Sequence, residues 1–384
     1  MDGEMRERVL VAMSGGVDSS VAALLLRDAG YDATGVTMKL FDNEVAGAGG
    51  ACVVGESTCC SQSDVEDARQ VAFGLGLEHF TFNFTGTFGC EVIDRFCDAY
   101  LHGRTPNPCI DCNRYLKFAA LQRRRAQLGF DYVATGHYAR RAFNERTGRF
   151  ELRRGLDEAK DQSYVLYHLT QVDLAHMLFP LGELTKPQVR ELAEKHSFGN
   201  AHKAESQDIC FVPDGDYVSF IARYMGLGDD ALRDGVGGLA VPAAFEPGDI
   251  VNVDGKVLGR HGGLVHYTIG QRKGIGIAAP EPLYVVGKDA AENVLVVGPR
   301  SELGVREVRA GDVNLISVAE LDKPMRVTAK THYRQRAQAG EAVMEGDQLV
   351  VRFDEPVARP AAGQSLVLYD GDAVVGGGTI EASE

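Results

Sequence analysis

Residues 8–30 read RVLVAMSGGVDSSVAALLLRDAG, and this stretch decides the fold. Arg8 to Met13 is a short apolar run of the kind that forms a buried strand in a parallel sheet. A polar loop with two glycines follows, and Ser19 to Ala29 has a helical pattern that ends at Gly30. The glycines allow a sharp turn in which backbone amides converge at the helix N-terminus. The stretch therefore predicts an anion-binding loop between a strand and a helix.

Strands and helices continue to alternate over about the first two hundred residues. This order implies right-handed crossovers and predicts an α/β fold with a doubly wound, mostly parallel sheet. One helix is expected to begin at a capping box, Ser63 to Glu66, and another at Thr185, with Gln188 three residues later. The expected strands are 33–40, 78–84 and 131–135, and the expected helices are 63–75, 88–101, 112–128 and 186–195.

From residue 236 onward the sequence changes to short β-branched runs separated by Gly, Pro and Asp, without helical patterns. The expected strands are 249–257, 283–297, 325–330, 348–353 and 365–369. We therefore expect three domains. These are the α/β domain at 1–220, a small β-rich central domain at 221–290 and a C-terminal β-barrel at 291–384.

The composition limits the class of protein. With 40 basic and 54 acidic residues the formal net charge is −14, which excludes a general nucleic-acid coat. Contact with RNA would need local basic patches, and 113–125 and 323–336 each carry five Lys or Arg and no acid. No apolar run approaches the ~20 residues that span a bilayer, so we expect a cytoplasmic protein without membrane contact. Its cysteines are then more often reactive or metal-binding than structural.

The loop at 14–20 lacks the lysine of a Walker loop, and the dinucleotide fingerprint Gly-x-Gly-x-x-Gly is absent too. It resembles the pyrophosphate loop of the ATP pyrophosphatases, which activate a carbonyl oxygen as its adenylate. Asp18 would then help to hold magnesium. Met38 and Gly136 end other strands at the same sheet edge, although Met38 could equally be a core residue. The expected ATP-binding residues are Ala12, Met13, Ser14, Gly15, Gly16, Val17, Asp18, Ser19, Met38 and Gly136.

Cys112 and Cys210 are candidate functional cysteines because of the sequence around them. Cys112 follows a proline-bounded loop and precedes an expected helix, whose N-terminus would lower its thiol pKa. Cys210 lies in SQDICF, at 206–211. Together with RTPNPCIDCNRYLKF (104–118), ATGHYAR (134–140), KDQSYVLY (160–167), YTIGQRKGIGI (267–277) and HYRQR (332–336), these segments resemble the bacterial tRNA-specific 2-thiouridylases. The resemblance runs through the chain and implies a HUP (adenine nucleotide α-hydrolase-like) first domain.

The resemblance also implies a reaction. ATP would adenylate O2 of the wobble uridine, U34, and sulfur from a persulfide on Cys210 would replace AMP, giving 2-thiouridine and pyrophosphate. The nucleophile Cys112 would resolve the persulfide into a Cys112–Cys210 disulfide, and a cysteine desulfurase or sulfur-relay protein would supply the sulfur. The target base would be flipped out of the stack. By position, the implied tRNA-binding residues are Asn107, Pro108, Cys109, His137, Lys160, Asp161, Gln162, Tyr333, Arg334 and Gln364.

Several alternatives remain open at this point. Cys109 stands where the family often has an aspartate proposed as acid or base, so that role is unassigned. Cys109, Cys112 and Cys210 could instead hold an iron–sulfur cluster with one open iron. His137 could be purely structural. The loop alone would also fit a synthetase that acts on a small metabolite, or a nucleotide-sensing module without turnover.

Overall fold

The computed structural model describes residues 6–40, 62–203, 209–227 and 241–383. The first domain contains a five-stranded parallel sheet in the order β3-β2-β1-β4-β7, and a hairpin of β5 and β6 lies apart from it. The first seven strands are β1 (Arg8–Ala12), β2 (Asp32–Lys39), β3 (Glu78–Asn83), β4 (Tyr132–Thr135), β5 (Ala139–Asn144), β6 (Arg149–Arg154) and β7 (Met177–Leu178).

The doubly wound sheet expected from the sequence is confirmed. β1 pairs in parallel with β2 on one side and with β4 on the other. The chain therefore first builds the sheet outward through β2 and β3 and then returns to the opposite side of β1. In such sheets a crevice opens at the carboxyl ends of the strands where the winding reverses. The loops after β1 and β4 flank that crevice.

The helices surround the sheet. Nine α-helical segments are described: α1 (Val17–Asp28), α2 (Gln62–Gly74), α3 (Thr85–Phe88), α4 (Asp94–Leu101), α5 (Pro108–Asp111), α6 (Leu121–Leu128), α7 (Gln171–Ala175), α8 (Lys186–Lys195) and α9 (Tyr217–Tyr224). A π-helical segment, Gly89–Ile93, joins α3 to α4, and a second, Cys112–Ala120, joins α5 to α6. Such segments often mark functional sites.

Three helix starts differ from the prediction. The helix expected at 88–101 already begins at Thr85, and the one expected at Cys112 begins at Pro108. Ser63 lies inside α2 and is not its cap, because the described helix includes Gln62. The start of α8 is as expected, since the backbone NH of Thr185 donates to Gln188 Oε1 at 2.8 Å.

The central domain contains a four-stranded sheet in the order β10-β11-β8-β9. Its strands are β8 (Gly248–Asn252), β9 (Val257–His261), β10 (Tyr284–Asp289) and β11 (Val294–Gly298). The run expected as one strand at 283–297 is a hairpin of β10 and β11, and 249–257 likewise turns between β8 and β9. The expected domain boundary at 290/291 therefore falls within the turn of one hairpin.

The C-terminal strands form the closed barrel expected from the sequence. They are β12 (Gly304–Leu315), β13 (Met325–Lys330), β14 (Gln338–Glu345), β15 (Gln348–Ala358), β16 (Ser365–Asp370) and β17 (Ala373–Ser383). Their order is β12-β15-β14-β13-β16-β17, and pairing of β12 with β17 closes the circle. The β5–β6 hairpin extends this sheet, because Arg153 of β6 pairs with Ala373 of β17. The first domain and the barrel are thus joined through this hairpin.

An apolar cluster crosses the same junction. Leu152, Tyr164 and Tyr167 of the first domain are fully buried in one cluster with Val367 and Tyr369 of the barrel. The barrel also has its own separate core inside the strand circle. Apolar burial of this kind fixes the barrel against the first domain. Among the described residues, no helix has the length and apolar character needed to cross a membrane.

Candidate nucleotide and RNA site

The loop after β1 is shaped for an anion. Gly15 has φ +73°, a conformation that favours glycine, and a Cβ there would collide with the backbone of Asp64. Gly16 precedes the first turn of α1, and its carbonyl accepts hydrogen bonds from the hydroxyls of Ser19 and Ser20, both at 3.0 Å. Ser19 Oγ also accepts from the backbone NH of Ser14 at 3.1 Å. The loop is thus held open at the N-terminus of α1, where phosphate is favoured.

Asp18 is held in place by two partners from later in the chain. Lys186 Nζ, at the start of α8, lies 2.7 and 2.8 Å from the two carboxylate oxygens. The Tyr138 hydroxyl donates to the Asp18 carboxylate at 2.8 Å. The Lys186 side chain is 9% exposed and the Asp18 side chain 33% exposed. The carboxylate is therefore fixed in orientation while part of it still faces the cleft.

A second set of charges supports the back of the loop. Lys203 Nζ lies 2.6 Å from Asp64 and 2.6 Å from Asp67. Burial lowers the pKa of Lys203, but its hydrogen bonds to the two carboxylates raise it by more. Asn200 donates from Nδ2 to the Gly15 carbonyl and to Ser20 Oγ, both at 2.9 Å. These contacts fix the loop to α2 and to the segment after α8.

One cleft of about 740 Å³ brings these groups together with several residues expected to bind tRNA. Of the expected ATP-binding set, only Gly15 is not among its lining residues, and Gly15 lies against the backbone of Asp64. The cleft is lined by Ala12, Met13, Ser14, Gly16, Val17, Asp18, Ser19, Thr37, Met38, Leu40, Asp64, Lys117, Thr135, Gly136, His137, Tyr138, Ala159, Lys160, Gln162, Lys186, Lys203, Tyr333 and Arg334. The cleft thus reaches from the sheet edge to the barrel.

His137 lies at the centre of the cleft wall as a neutral ring. Burial and the nearby Lys117 charge hold the pKa of His137 well below its usual range. Its Nδ1 lies 2.7 Å from Thr135 Oγ1, and its ring packs beside Phe118 and Phe179. A neutral imidazole can donate or accept one hydrogen bond but supplies no positive charge at neutral pH.

Residues 160–162 have two kinds of position relative to the cleft. Two of them line it, and the third supports them from outside the lining. Lys160 and Gln162 line the cleft, and Gln162 Oε1 accepts from the backbone NH of Tyr138 at 2.9 Å. Asp161 is buried and lies outside the lining. Its carboxylate accepts from the backbone NH of Gly155 and from both the NH and the hydroxyl of Ser163. These hydrogen bonds hold Asp161 in place, so it positions its sequence neighbours Lys160 and Gln162, which line the cleft.

Asn107, Pro108, Cys109 and Gln364 lie together at a different place from the cleft lining. Gln364 of the barrel donates from Nε2 to the Thr105 carbonyl at 2.8 Å, and the NH of Thr105 donates to the Ala362 carbonyl at 2.8 Å. The barrel thus holds the loop that leads into α5. Asn107 caps α5 and Pro108 is its first residue, a position where proline is well tolerated.

The thiols differ in accessibility. Cys109 is exposed in α5, Cys112 is buried as the first residue of the π-helical segment that follows, and Cys210 is half-buried. The expected helix start at Cys112 is wrong, because the helix begins four residues earlier, at Pro108, so Cys112 does not lie at a helix N-terminus. The structure does not support the Cys112–Cys210 disulfide that the resemblance implies.

Three family models match successive parts of the chain. The tRNA methyl transferase HUP domain matches residues 7–214, the tRNA methyl transferase PRC-barrel domain matches 239–299, and the aminomethyltransferase β-barrel domain matches 305–380. The matched ranges follow the three sheets described above. The first match alone covers more than half of the chain.

Curated relatives match over nearly the full length. The tRNA-specific 2-thiouridylase MnmA 1 of Thermoanaerobacter sp. (strain X514) is 46% identical over 377 residues, 97% of this chain and 98% of the relative. The MnmA enzymes of Carboxydothermus hydrogenoformans and Clostridioides difficile (strain 630) are 46% and 43% identical, each over 99% of both chains. The chain belongs to the tRNA-specific 2-thiouridylase family.

In this thiouridylase, sequence reasoning missed the cations that hold the loop. Lys186 and Lys203 lie far from residues 14–20 in sequence, and neither belongs to a motif that predicts a phosphate site. The only available signal for Lys186 was the Thr185 capping box, which places it at the start of a helix. Tyr138 and Lys117 lie in two of the segments that carry the family resemblance, 134–140 and 104–118, but the sequence assigned no role to either residue.

The side chains available as metal ligands can be compared with the needs of magnesium and of an iron–sulfur cluster. Magnesium is commonly held by one or two carboxylates together with substrate phosphates, and the partly exposed Asp18 carboxylate beside the loop fits that use. An iron–sulfur cluster does not fit. Among the described residues, no three His, Cys, Asp or Glu side chains form a group that could hold a metal ion, and Cys109, Cys112 and Cys210 are all described.

Proposed function

We propose that this protein is an ATP-dependent tRNA 2-thiouridylase that exchanges O2 of U34 for sulfur. The observation that carries the proposal is the shared cleft, in which the phosphate loop faces His137, Lys160, Gln162, Tyr333 and Arg334. Membership of the thiouridylase family supports the substrate class. Both the nucleotide and the RNA must meet at one atom, and a single cleft supplies that proximity.

The first step is adenylation. The amides after β1 and the N-terminus of α1 bind the phosphates of ATP, and Gly136 lets the end of β4 lie against the first turn of α1. Magnesium, when bound at Asp18, neutralises charge on the departing pyrophosphate. Uridine O2 attacks the α-phosphorus, the bond to pyrophosphate breaks, and O2 becomes part of an AMP leaving group. Lys186 keeps the Asp18 carboxylate oriented throughout.

The second step transfers sulfur. The terminal sulfur of a persulfide on Cys210 attacks C2, and AMP leaves with the former O2. The Cys112 thiolate then attacks the Cys210 sulfur, which forms a Cys112–Cys210 disulfide and releases the 2-thiouridine. Alternatively, Cys112 attacks first and the released hydrosulfide displaces AMP. Either route oxidises two thiols, so a reductant must restore them.

The C-terminal barrel and the loop at 104–108 are proposed to receive the anticodon arm. A cysteine desulfurase or sulfur-relay protein is proposed to load Cys210, and the cytoplasm is the proposed location, where uncharged tRNA and reductant are both available. Arg334 is exposed and lines the cleft, so its charge is available to a phosphate. Arg326, by contrast, is paired with Asp354, and Arg114 with Asp312. The two basic stretches therefore contribute individual residues and not continuous surfaces.

The test is mass spectrometry of tRNA nucleosides after incubation with ATP, magnesium and a persulfide donor. We expect wild-type protein to convert uridine to 2-thiouridine. Cys210→Ser and Cys112→Ser are expected to lose the product while still releasing pyrophosphate in the presence of tRNA. Cys90→Ser, at an exposed position outside the cleft lining, is the matched control and should retain activity.

Other outcomes would favour the alternatives. Pyrophosphate release that needs a small carboxylate or urea-like acceptor, with no effect of tRNA, would indicate a metabolite synthetase. ATP binding without turnover in the full mixture would indicate a nucleotide sensor. Stoichiometric iron and acid-labile sulfide in anaerobically purified, active protein would overturn the persulfide route.

A further inference from the structure

Arg154, the last residue of β6, has a charged side chain for which the described residues supply no ion pair. Its guanidinium carbon lies 4.0 Å above the ring of Tyr369. Within the described part of the chain, Nε and Nη2 are buried and have no hydrogen-bond partner. Burying such donors unsatisfied costs free energy, and the cost is larger for a charged group. Natural proteins rarely accept that cost without a use for the group.

A second cation lies beside it. Lys330 ends β13, the strand next to Tyr369 in the barrel, and its Nζ lies 5.9 Å from the Tyr164 ring centre and 5.8 Å from that of Tyr333. Burial lowers the pKa of Lys330, the Arg154 charge lowers it further, and Asp161 acts in the opposite direction. Lys330 thus lies on the strand that pairs with β16, whose Tyr369 ring lies under the Arg154 guanidinium.

The nearby carboxylate of Asp161 already accepts hydrogen bonds from other groups. Asp161 accepts hydrogen bonds from Gly155 and Ser163, and neither cation forms an ion pair with it within 4.0 Å. Arg154, Lys330 and Asp161 together carry a formal net charge of +1 in a half-buried setting. An anion placed against both cations would satisfy the free donors.

We propose that Arg154 and Lys330 form a phosphate site, separate from the phosphate loop, that binds one backbone phosphate of the RNA next to the target nucleotide. The proposal rests on the proposed function for its RNA substrate. Tyr333 lines the cleft and also contacts Lys330, so the site adjoins the cleft on its barrel side. Arg154 and Lys330 are not among the cleft-lining residues, which favours the RNA backbone over ATP as the source of the phosphate.

The test compares Arg154→Gln and Lys330→Gln with wild type in titrations of an anticodon stem-loop RNA at several salt concentrations. Each variant is expected to reduce the slope of log affinity against log salt by about 0.7–0.9, the value for one lost phosphate contact, and to weaken binding about tenfold at low salt. Affinity for ATP should stay within twofold. Arg352→Gln is the matched control, because this barrel arginine is paired with Glu345 and Glu307.

A second experiment changes the RNA instead of the protein, so its wild-type measurement does not depend on whether a variant folds. Single methylphosphonate replacements in the RNA flanking the target should weaken binding to wild type at one position, and Arg154→Gln should show no further loss there. An unchanged salt slope in both variants, or a wild type indifferent to every replacement, overturns the site. Loss of ATP affinity with an unchanged RNA slope assigns the phosphate to the nucleotide and also overturns it. Absent thiolation with these binding results intact would contradict only the proposed function.

Discussion

Gly136, at the end of β4, has no Cβ, and the backbone of the first turn of α1 occupies the space where a Cβ would lie. A Cβ at this position would lie 2.8 Å from the backbone nitrogen of Ser19 and 2.9 Å from the carbonyl carbon of Asp18. Both atoms belong to the backbone of the first turn of α1, which cannot move aside as a flexible side chain could. The end of β4 and the phosphate loop therefore fit together only with glycine here.

We predict that Gly136→Ala displaces the loop and weakens ATP binding at least about tenfold, since misplacing a site by about 1 Å can cost up to 10²-fold in rate. Isothermal titration with ATP and magnesium measures the loss. Gly74→Ala is the matched control, because a Cβ there meets nothing within 4 Å and the position is on the exposed end of α2. Equal affinity in the two variants would refute the steric argument.

His168 makes the stability of the protein depend on pH. Burial lowers its pKa to about 3, the Arg114 charge acts in the same direction, and Asp312 opposes them. The folded state thus favours the neutral ring, while the unfolded chain takes up a proton near pH 6.5. The contribution of His168 to stability is present above pH 6.5 and is lost as the pH falls towards about 3.

The expected slope for this one proton is about 1.4 kcal/mol of unfolding free energy per pH unit within that window. Chemical denaturation between pH 7 and pH 4 should therefore show a weaker pH dependence for His168→Gln than for wild type. His202→Gln, whose side chain is 83% exposed, should follow wild type. Parallel curves for His168→Gln and wild type would show that the ring is not held neutral.

The element that carries the thiols is positioned from the barrel. Gln364 is the side-chain donor to the Thr105 and Pro106 carbonyls, and α5 with Cys109 and the π-helical segment that begins at Cys112 follow directly. Gln364→Ala is predicted to slow single-turnover thiolation about tenfold or more while ATP affinity stays unchanged. Gln364→Glu keeps the shape but removes the donor, so it should behave like the alanine variant.

The same variants separate positioning from RNA contact. If Gln364 acts through the loop, RNA affinity stays within twofold of wild type and only the rate of sulfur transfer falls. The sequence resemblance instead assigned Gln364 to the tRNA. A drop in RNA affinity equal to the drop in rate would support that assignment and reject the positioning role.

These elements also show what the sequence could predict. The apolar run, glycine loop and helix at 8–30 specify local structure strongly, so the parallel sheet and the phosphate loop followed from sequence alone. The start of α5 did not, because prolines at 106 and 108 read equally as a stiff loop or as the first helical residue. β7 has only two residues, too few for a pattern. Lys186 reaches Asp18 through tertiary packing, which no local pattern records.

At the scale of the whole molecule, the first domain and the barrel share a core. Tyr164 and Tyr167 are fully buried, and their hydroxyls bond to the carbonyl and the hydroxyl of Ser365 on β16. Arg114, from the helix that carries Cys112, forms an ion pair with Asp312 of β12. The π-helical segment that carries Cys112 and the barrel are therefore fixed relative to each other by apolar burial together with these polar contacts.

We predict that a chain ending at residue 300 does not form a stable first domain. Removing the barrel uncovers Leu152, Tyr164 and Tyr167, and each such side chain contributes about 1.5–3 kcal/mol by its burial. The sum is comparable with the roughly 5–15 kcal/mol that stabilises a whole domain. Calorimetry should show no cooperative transition for 1–300, whereas 301–384 retains the apolar interior of its strand circle and should unfold cooperatively. A truncated chain that melts sharply and binds ATP as tightly as the full protein would show that the junction holds the domains together without stabilising either.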